Sequence, residues 1–392
     1  MREVVVVEAV RTPFGRRTGG LSSMHSLDLL GAVQRALFDR SGISPTEVGQ
    51  VVGGCVGQVG MQAMNVTRGA WLAAGLPPTV PATTVDTQCG SSQQAVGLAY
   101  GLVASGITDA AVACGVELMS RVPMGASVPK VPDVGKPVNK QYWEHHEFTS
   151  QFEGAERIAD RWGISREACD ELGKLSQDRA AAAWADDRFA TQLVSITAPD
   201  LGKDGKPTGT THLVARDEGL RDTTLETLAR LSPTGRPDGV HTAATSSQIA
   251  DGASAVLLMT RERAHDLGLS PLATITDVTL VGCDPVLMLE GPIPATRKLL
   301  ADNGLTMDDL DVVEINEAFA SVVLAWKQEL KADFDRVNPN GGALAMGHPL
   351  GATGAALVTK AIHELIRADG EQALVTMCCG GGIGTGTLLR RG

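Results

Sequence analysis

The chain carries one pattern twice, and this duplication constrains its architecture more than any other feature. The first copy runs from Cys89 through a helical pattern at Gln93–Ala104 into the apolar run Asp109-Ala110-Ala111-Val112-Ala113-Cys114-Gly115. The second runs from Gly347-His348 through Ala355–Arg367 into Gln372-Ala373-Leu374-Val375-Thr376-Met377-Cys378. In each, a glycine-bracketed turn leads into an amphipathic helix and then a buried strand that ends near a cysteine. Such a chain folds as two similar α/β halves, with mixed and largely parallel sheets flanked by helices.

After the second copy, Gly380-Gly381-Gly382 turns into a final strand pattern at Gly386–Arg390. The matching strand of the first half, Ala253–Thr260, comes much later, so residues 120–247 read as an insertion. The expected division is residues 1–119 with 248–271, an inserted unit at 120–247, and a second half at 272–392. Within the insertion, residues 121–141 carry Pro123, Pro129, Pro132 and Pro137 and read as loop. Residues 152–189 read as two or more helices, one opened by Ser165 as N-cap, and Lys203–Thr211 as a hairpin-like loop.

Composition narrows the function. A chain with 43% hydrophobic and 20% charged residues buries a large core. Its net charge of −11 argues against a nucleic-acid partner but leaves room for a small anionic ligand held by a few local cations. No apolar run approaches the ~20 residues of a membrane-spanning helix, so no membrane insertion is expected. Met1–Val7 reads as a short strand followed by Glu8, not as a signal peptide. The seven cysteines, at 55, 89, 114, 169, 283, 378 and 379, show no metal-ligand spacing. They fit free thiols in a reducing cytoplasm, with no metal expected.

Four polar sites stand out, three of them among the glycines. Cys89, in Thr87-Gln88-Cys89-Gly90-Ser91, sits where a helix begins, and a helix N-terminus favours thiolate over thiol; the alternative is an inert buried cysteine. His348, in Gly347-His348-Pro349, either takes a thiol proton or is a structural histidine. The run Cys378-Cys379-Gly380-Gly381-Gly382 offers bare backbone N–H groups for an oxyanion, or is a plain turn. Asn316-Glu317 follows a strand and opens a helix, so Asn316 either orients a water or acyl oxygen or simply caps that helix.

Taken together, Cys89-Gly90-Ser91, Asn316-Glu317-Ala318-Phe319, Gly347-His348-Pro349 and Cys378-x-Gly380-Gly381-Gly382-x-Gly384 resemble the four signature blocks of the thiolase family, in the family's order. Arg11-Thr12-Pro13-Phe14-Gly15 and the chain length extend the resemblance over the whole sequence. The resemblance implies two duplicated βαβαβαββ halves in a layered αβαβα core, with an inserted loop domain that grips coenzyme A. It implies that Cys89 is an acyl-accepting nucleophile, His348 its activating base and an oxyanion donor, and Cys378 the acid/base at carbon. Asn316 would act through a water, and the backbone of Gly380 would complete a second oxyanion hole. Ser247 and Arg221 fall where the family contacts the pantetheine and adenine ends of coenzyme A. The implied reaction is thiolysis of a 3-ketoacyl-CoA, with coenzyme A as substrate, no permanent cofactor, and a homodimer or homotetramer.

The sequence also departs from the family pattern. Ala244, Thr245 and Ala250 stand where Gly, Asn and Asn are frequent. Ser150-Gln151-Phe152 lacks the His-Met pair of short-chain members, which favours longer or bulkier acyl chains. That block and the Cys89-Gly90-Ser91-Ser92-Gln93-Gln94 run are similar to actinobacterial thiolases, some of which act on steroid side chains. The competing readings are a short-chain acetoacetyl-CoA thiolase, a ketosynthase-like condensing enzyme, a hydroxymethylglutaryl synthase, and a non-catalytic acyl-CoA or sterol carrier. Cys378 and the Asn316 block count against the second and Cys378, in place of a glutamate base, against the third; retention of all four blocks counts against the last.

Overall fold

The computed structural model describes residues 1–128, 131 and 134–392; Pro129 and Pro132 of the loop reading lie outside the described residues. The strands are β1 (Val4–Arg11), β2 (Gly15–Arg16), β3 (Gln50–Gly54), β4 (Ala82–Val85), β5 (Ala110–Leu118), β6 (Ile196–Leu201), β7 (Pro207–Val214), β8 (Ala250–Thr260), β9 (Ala273–Gly282), β10 (Val312–Ile315), β11 (Gln372–Cys379) and β12 (Ile383–Arg391). Ten of them join in one sheet path, β10-β11-β12-β9-β1-β8-β5-β3-β4, with β2 beside β8; β6 and β7 form a separate hairpin.

The two halves meet where β1 pairs with β9 at Val4–Val6. β1 feeds two cores at once: Val4, Val6 and Ala9 face one, Val5, Val7 and Val10 the other. A bulge between Val6 and Glu8 shifts that alternation by one residue. The helices Ser91–Ala104 and Leu350–Arg367 form the middle layer, packed between strands of both halves. Outside, Ser26–Ser41 and Val66–Ala73 cover the first half, and Pro292–Asn303 and Ala320–Leu330 cover the second. The result is the five-layered αβαβα arrangement.

Close contact in the middle layer brings the two repeated turns together. A Cβ on Gly354 would lie 2.3 Å from the backbone nitrogen of Gln93, so only glycine permits this approach. Polar bonds then pin the halves: Ala355 N–H donates to Ser92 Oγ at 2.9 Å, and Gln93 Nε2 donates to the Val375 carbonyl at 2.9 Å. The turns bearing Cys89 and His348 precede these two helices.

The sheet is not largely parallel. Among the described residues, only the strand pairs β3–β4, β3–β5 and β10–β11 run parallel, while β5–β8, β8–β1, β1–β9, β9–β12 and β12–β11 run antiparallel. The cause is that helices cover both faces of these strands. β5 and β8 are buried along their whole length, so they read as the continuous apolar runs usual in parallel sheets. In the inserted segment, helices span Gln151–Trp162 and Arg166–Ala185, and Ser165 Oγ caps the second through Ala168 N–H. The hairpin β6–β7 brackets Lys203, and a short helix at Lys140–His145 begins at the end of the expected loop. Among the described residues, no helix is long and apolar enough to cross a membrane.

Candidate active site

Cys89 sits on a tight turn in front of the Ser91–Ala104 helix. Gln88 takes φ 51°, and its carbonyl accepts from Ser91 Oγ at 2.6 Å, which locks the bend. The thiol is 7% exposed. Burial pushes its pKa up to about 11, against the opposing pull of the Gly380 backbone N–H and its own N–H. The helix-mouth expectation of a resting thiolate is therefore not met: desolvation outweighs the dipole, and the resting group is a thiol.

His348 lies just ahead of the Leu350–Arg367 helix, and Gly347 before it takes φ 100°. The Thr353 hydroxyl donates to the Pro349 carbonyl at 2.8 Å, so its oxygen is left to accept from His348 Nδ1 at 2.6 Å. The proton is thus on Nδ1 and Nε2 keeps its lone pair. Asn316 Nδ2 stands 3.3 Å from that Nε2 as a donor. Burial pushes the imidazole pKa down to about 4, so the resting ring is neutral. Asn316 does not cap the following helix, which begins at Ala320 with Phe319 as N-cap and no side-chain bond. Its Oδ1 is buried and, among the described residues, has no hydrogen-bond partner.

The adjacent cysteines separate by function of strand alternation. Cys379 packs behind the Cys89 turn: its sulfur lies 2.6 Å from where a Cβ on Gly90 would be. Cys378 shares a core with Leu289, Ala318 and Phe319, all of which line the cavity described next. Burial raises the Cys378 pKa well above the usual thiol value, and the nearby Cys89 raises it further. Of the three consecutive glycines, Gly380 reaches the Cys89 sulfur through its N–H, while Gly381 and Gly382 make the turn at φ 82° and 75°.

Cys89, His348, Ser247 and Arg221 line a single cavity of about 520 Å³. Asn316 does not itself line the cavity but stands against His348; Gly380 stands against Cys89, and Cys378 lies near Cys89. Ser247 N–H donates to the Ala318 carbonyl at 2.9 Å, fastening the cavity wall to the Asn316 block. Arg221 Nη2 donates to Gln248 Oε1 at 3.2 Å, and a further recess of about 170 Å³ continues past Arg221 between Gln177 and Thr223. Among the described residues, no cluster of His, Cys, Asp or Glu is arranged to hold a metal ion.

Three residues that hold this site in shape were not singled out from sequence. Thr353 was visible in the glycine-rich run, five residues after His348, but its role needs the helical turn that brings it back. Glu317 accepts from Ser176 Oγ at 2.6 Å, Asn338 Nδ2 at 2.9 Å and Leu344 N–H at 3.2 Å, fixing the loop that delivers His348. Glu117 accepts from Gln62 Nε2 at 2.6 Å and from the N–H groups of Val56, Gly57 and Gly351 at 2.9, 3.0 and 2.9 Å. It clamps the His348 helix start onto the first half.

Comparison with known proteins matches this layout end to end. Residues 4–262 match the model for the thiolase N-terminal domain and residues 269–391 that for the thiolase C-terminal domain. A steroid 3-ketoacyl-CoA thiolase of Mycobacterium tuberculosis is 45% identical over 100% of this chain and 95% of its own length. A beta-ketoadipyl-CoA thiolase of Acinetobacter baylyi is 41% identical with complete coverage of both chains, 100% each. Among solved structures, the Bacillus anthracis acetyl-CoA acetyltransferase superposes with a TM-score of 0.91 at 36% identity, covering 100% of this chain and 99% of that one. Human mitochondrial 3-ketoacyl-CoA thiolase gives 0.88 at 33% identity, with coverage of 100% and 99%.

Proposed function

The chain belongs to the thiolase family of acyltransferases, and we propose that it is a 3-ketoacyl-CoA thiolase, cleaving 3-ketoacyl-CoA with coenzyme A into acetyl-CoA and a shortened acyl-CoA. The observation that carries this reading is the pairing in one cavity of the Cys89 thiol with a neutral His348 whose Nε2 keeps its lone pair.

In the forward direction, Cys89 sulfur attacks the 3-keto carbonyl carbon while its proton passes to His348 Nε2. The bond between C2 and C3 breaks, its electron pair stays on C2, and the Cys378 thiol protonates that carbon to give acetyl-CoA. Coenzyme A thiol then attacks the Cys89 thioester, giving its proton to the Cys378 thiolate, and His348 returns its proton to the Cys89 sulfur as the shortened acyl-CoA leaves. The N–H groups of Gly380 and Cys89 are placed for the oxygen of the acyl-enzyme, and Asn316 with His348 for the thioester oxygen of the acetyl unit. Cys378 rather than Cys379 takes the acid/base role, a choice supported by its packing with the cavity-lining Leu289, Ala318 and Phe319 while Cys379 packs behind the Cys89 turn. No step requires a permanent cofactor; coenzyme A is a substrate.

Ser247 and Arg221 take the pantetheine and nucleotide ends of coenzyme A, a placement supported by the recess that continues past Arg221. The Gln151-Phe152 wall and a cavity of about 520 Å³ favour acyl groups longer or bulkier than acetoacetyl, in fatty-acid or steroid side-chain degradation. The pairing of β8 beside β5 supports dividing the chain into 1–119 with 248–271, 120–247 and 272–392. Exposed Trp143 and Phe148 in the inserted segment support a homodimer or homotetramer, and seven free cysteines a cytoplasmic setting. The test is thiolysis followed at the enolate absorbance band over a 3-ketoacyl-CoA panel that includes steroidal substrates. Efficient cleavage of acetoacetyl-CoA alone would move the assignment to the short-chain enzyme, and no cleavage of any member would reject it.

A further inference from the structure

We infer that Lys360 and Glu314 are positioning residues for the reaction: their buried ion pair sets Asn316 against the His348 imidazole. This rests on the thiolase reading above and adds to its account of how the acetyl thioester oxygen is held. Glu314 lies on β10 two positions before Asn316, and Lys360 on the Leu350–Arg367 helix that His348 precedes. Their side chains are 0% and 2% exposed, and Lys360 Nζ stands 2.8 Å from Glu314 Oε2. The same Nζ donates to the Gly341 carbonyl at 2.7 Å, in the loop that delivers His348. One ammonium thus joins the strand that leads to Asn316, the helix that follows His348, and the loop that precedes it.

As a source of stability the pair is poor. Desolvating two charges offsets most of their attraction, and apolar side chains of like volume often serve as well or better. Burial pushes the Glu314 pKa up to about 7 against the pull of Lys360, and among the described residues its buried Oε1 has no hydrogen-bond partner. What such a pair supplies is register. The strand and the loop already hold each other, since Asn338 Oδ1 accepts from Ile315 N–H and its Nδ2 donates to Glu317 Oε1, each at 2.9 Å. Lys360 fastens that unit to the helix, joined one turn further from His348 by Asn340 Nδ2 donating to Glu364 Oε2 at 2.8 Å. His348 has anchors of its own, through Nδ1 to Thr353 Oγ at 2.6 Å and through its N–H to the Gln248 carbonyl at 3.0 Å. Among the described residues, the Asn316 side chain has only its 3.3 Å contact with Nε2. Asn316 is therefore the member that moves if the unit shifts, and a displacement of about 1 Å can cost roughly a hundredfold in rate.

The experiment compares two reactions of one acyl group, in wild type and in the double variant E314Q/K360M. Thiolysis of the 3-ketoacyl-CoA uses Asn316 with His348 for the acetyl oxygen. Exchange of the shortened acyl-CoA with isotope-labelled coenzyme A passes only through the Cys89 thioester and the N–H groups of Gly380 and Cys89. In the variant, kcat for thiolysis should fall roughly tenfold to a hundredfold, while the exchange rate and KM for coenzyme A stay within about twofold. E314Q alone, which alters one atom of the pair, should show the same split to a smaller degree, and it decides the question if the double variant does not fold. Thiolysis at the wild-type rate overturns the inference. So does an equal loss of both reactions, or loss of the fold in both variants, because the pair would then serve stability alone. A wild-type protein that performs neither reaction would instead show that the thiolase reading itself is wrong.

Discussion

Thr353 sets the tautomer of His348. Its hydroxyl hydrogen is committed to the Pro349 carbonyl, leaving its oxygen 2.6 Å from Nδ1 to receive the ring proton. Both partners are buried, so no solvent competes for either bond. Replacing Thr353 by valine keeps the shape and removes the acceptor. Thr353→Val should lower kcat by roughly tenfold to a hundredfold, part of the contribution of a positioned base, with KM little changed. Thr353→Ser should retain most of the activity. A valine variant with wild-type kcat would show that the hydroxyl does not orient the ring.

Resting Cys89 and His348 are both neutral, since burial pushes the thiol up to about 11 and the imidazole down to about 4. Alkylation of Cys89 by iodoacetamide should accelerate about tenfold per pH unit between pH 7 and 10, following the thiolate fraction. A rate that levels off below pH 8 would reveal a preformed thiolate–imidazolium pair.

The same burial links His348 to stability. Its folded pKa lies below its unfolded value near ~6.5, so the unfolded chain binds the proton first as pH falls. The stability that comes from keeping the ring neutral is present above pH ~6.5 and is lost as pH drops through about 4. Denaturant titrations should show a loss of about 3 kcal/mol from this group over that interval, from the shift at 1.36 kcal/mol per unit. His348→Asn should reduce the pH dependence over that range; an unchanged profile would contradict the assignment.

Arg11 is fully buried, bonded to Asp217 at 2.8 and 3.0 Å and stacked near Phe14 and Phe189. Asp217→Ala would strand that cation, at a cost of about 3–5 kcal/mol. Because residues 217–221 lead into the cavity wall, KM for coenzyme A should rise as well. A variant as stable as wild type would mean that the pair contributes little.

Local patterns were legible because they depend on periodicity over a few residues. The expected strand at 372–378 is observed as Gln372–Cys379, and the helix expected at 93–104 as Ser91–Ala104. Three of the four polar blocks were legible because their side chains lie in glycine-rich turns that stand out from the background; the Asn316 block has no glycine and stood out as polar residues directly after an apolar strand. Strand direction was not, because β5 and β8 are apolar on both faces whichever way they run. Nor were the bonds that bring distant segments together: Glu117 and Gly351 are 234 positions apart, and nothing in either sequence neighbourhood announces the other.

The central claim is that Cys89 carries the acyl group. Wild-type protein mixed with a 3-ketoacyl-CoA in the absence of free coenzyme A should release one equivalent of acetyl-CoA. Intact-mass and peptide analysis should then find the shortened acyl group on the peptide containing Cys89. Cys89→Ala should form no adduct and lose thiolysis. An acyl group found on Cys378 or Cys379, or turnover retained by Cys89→Ala, would contradict the account.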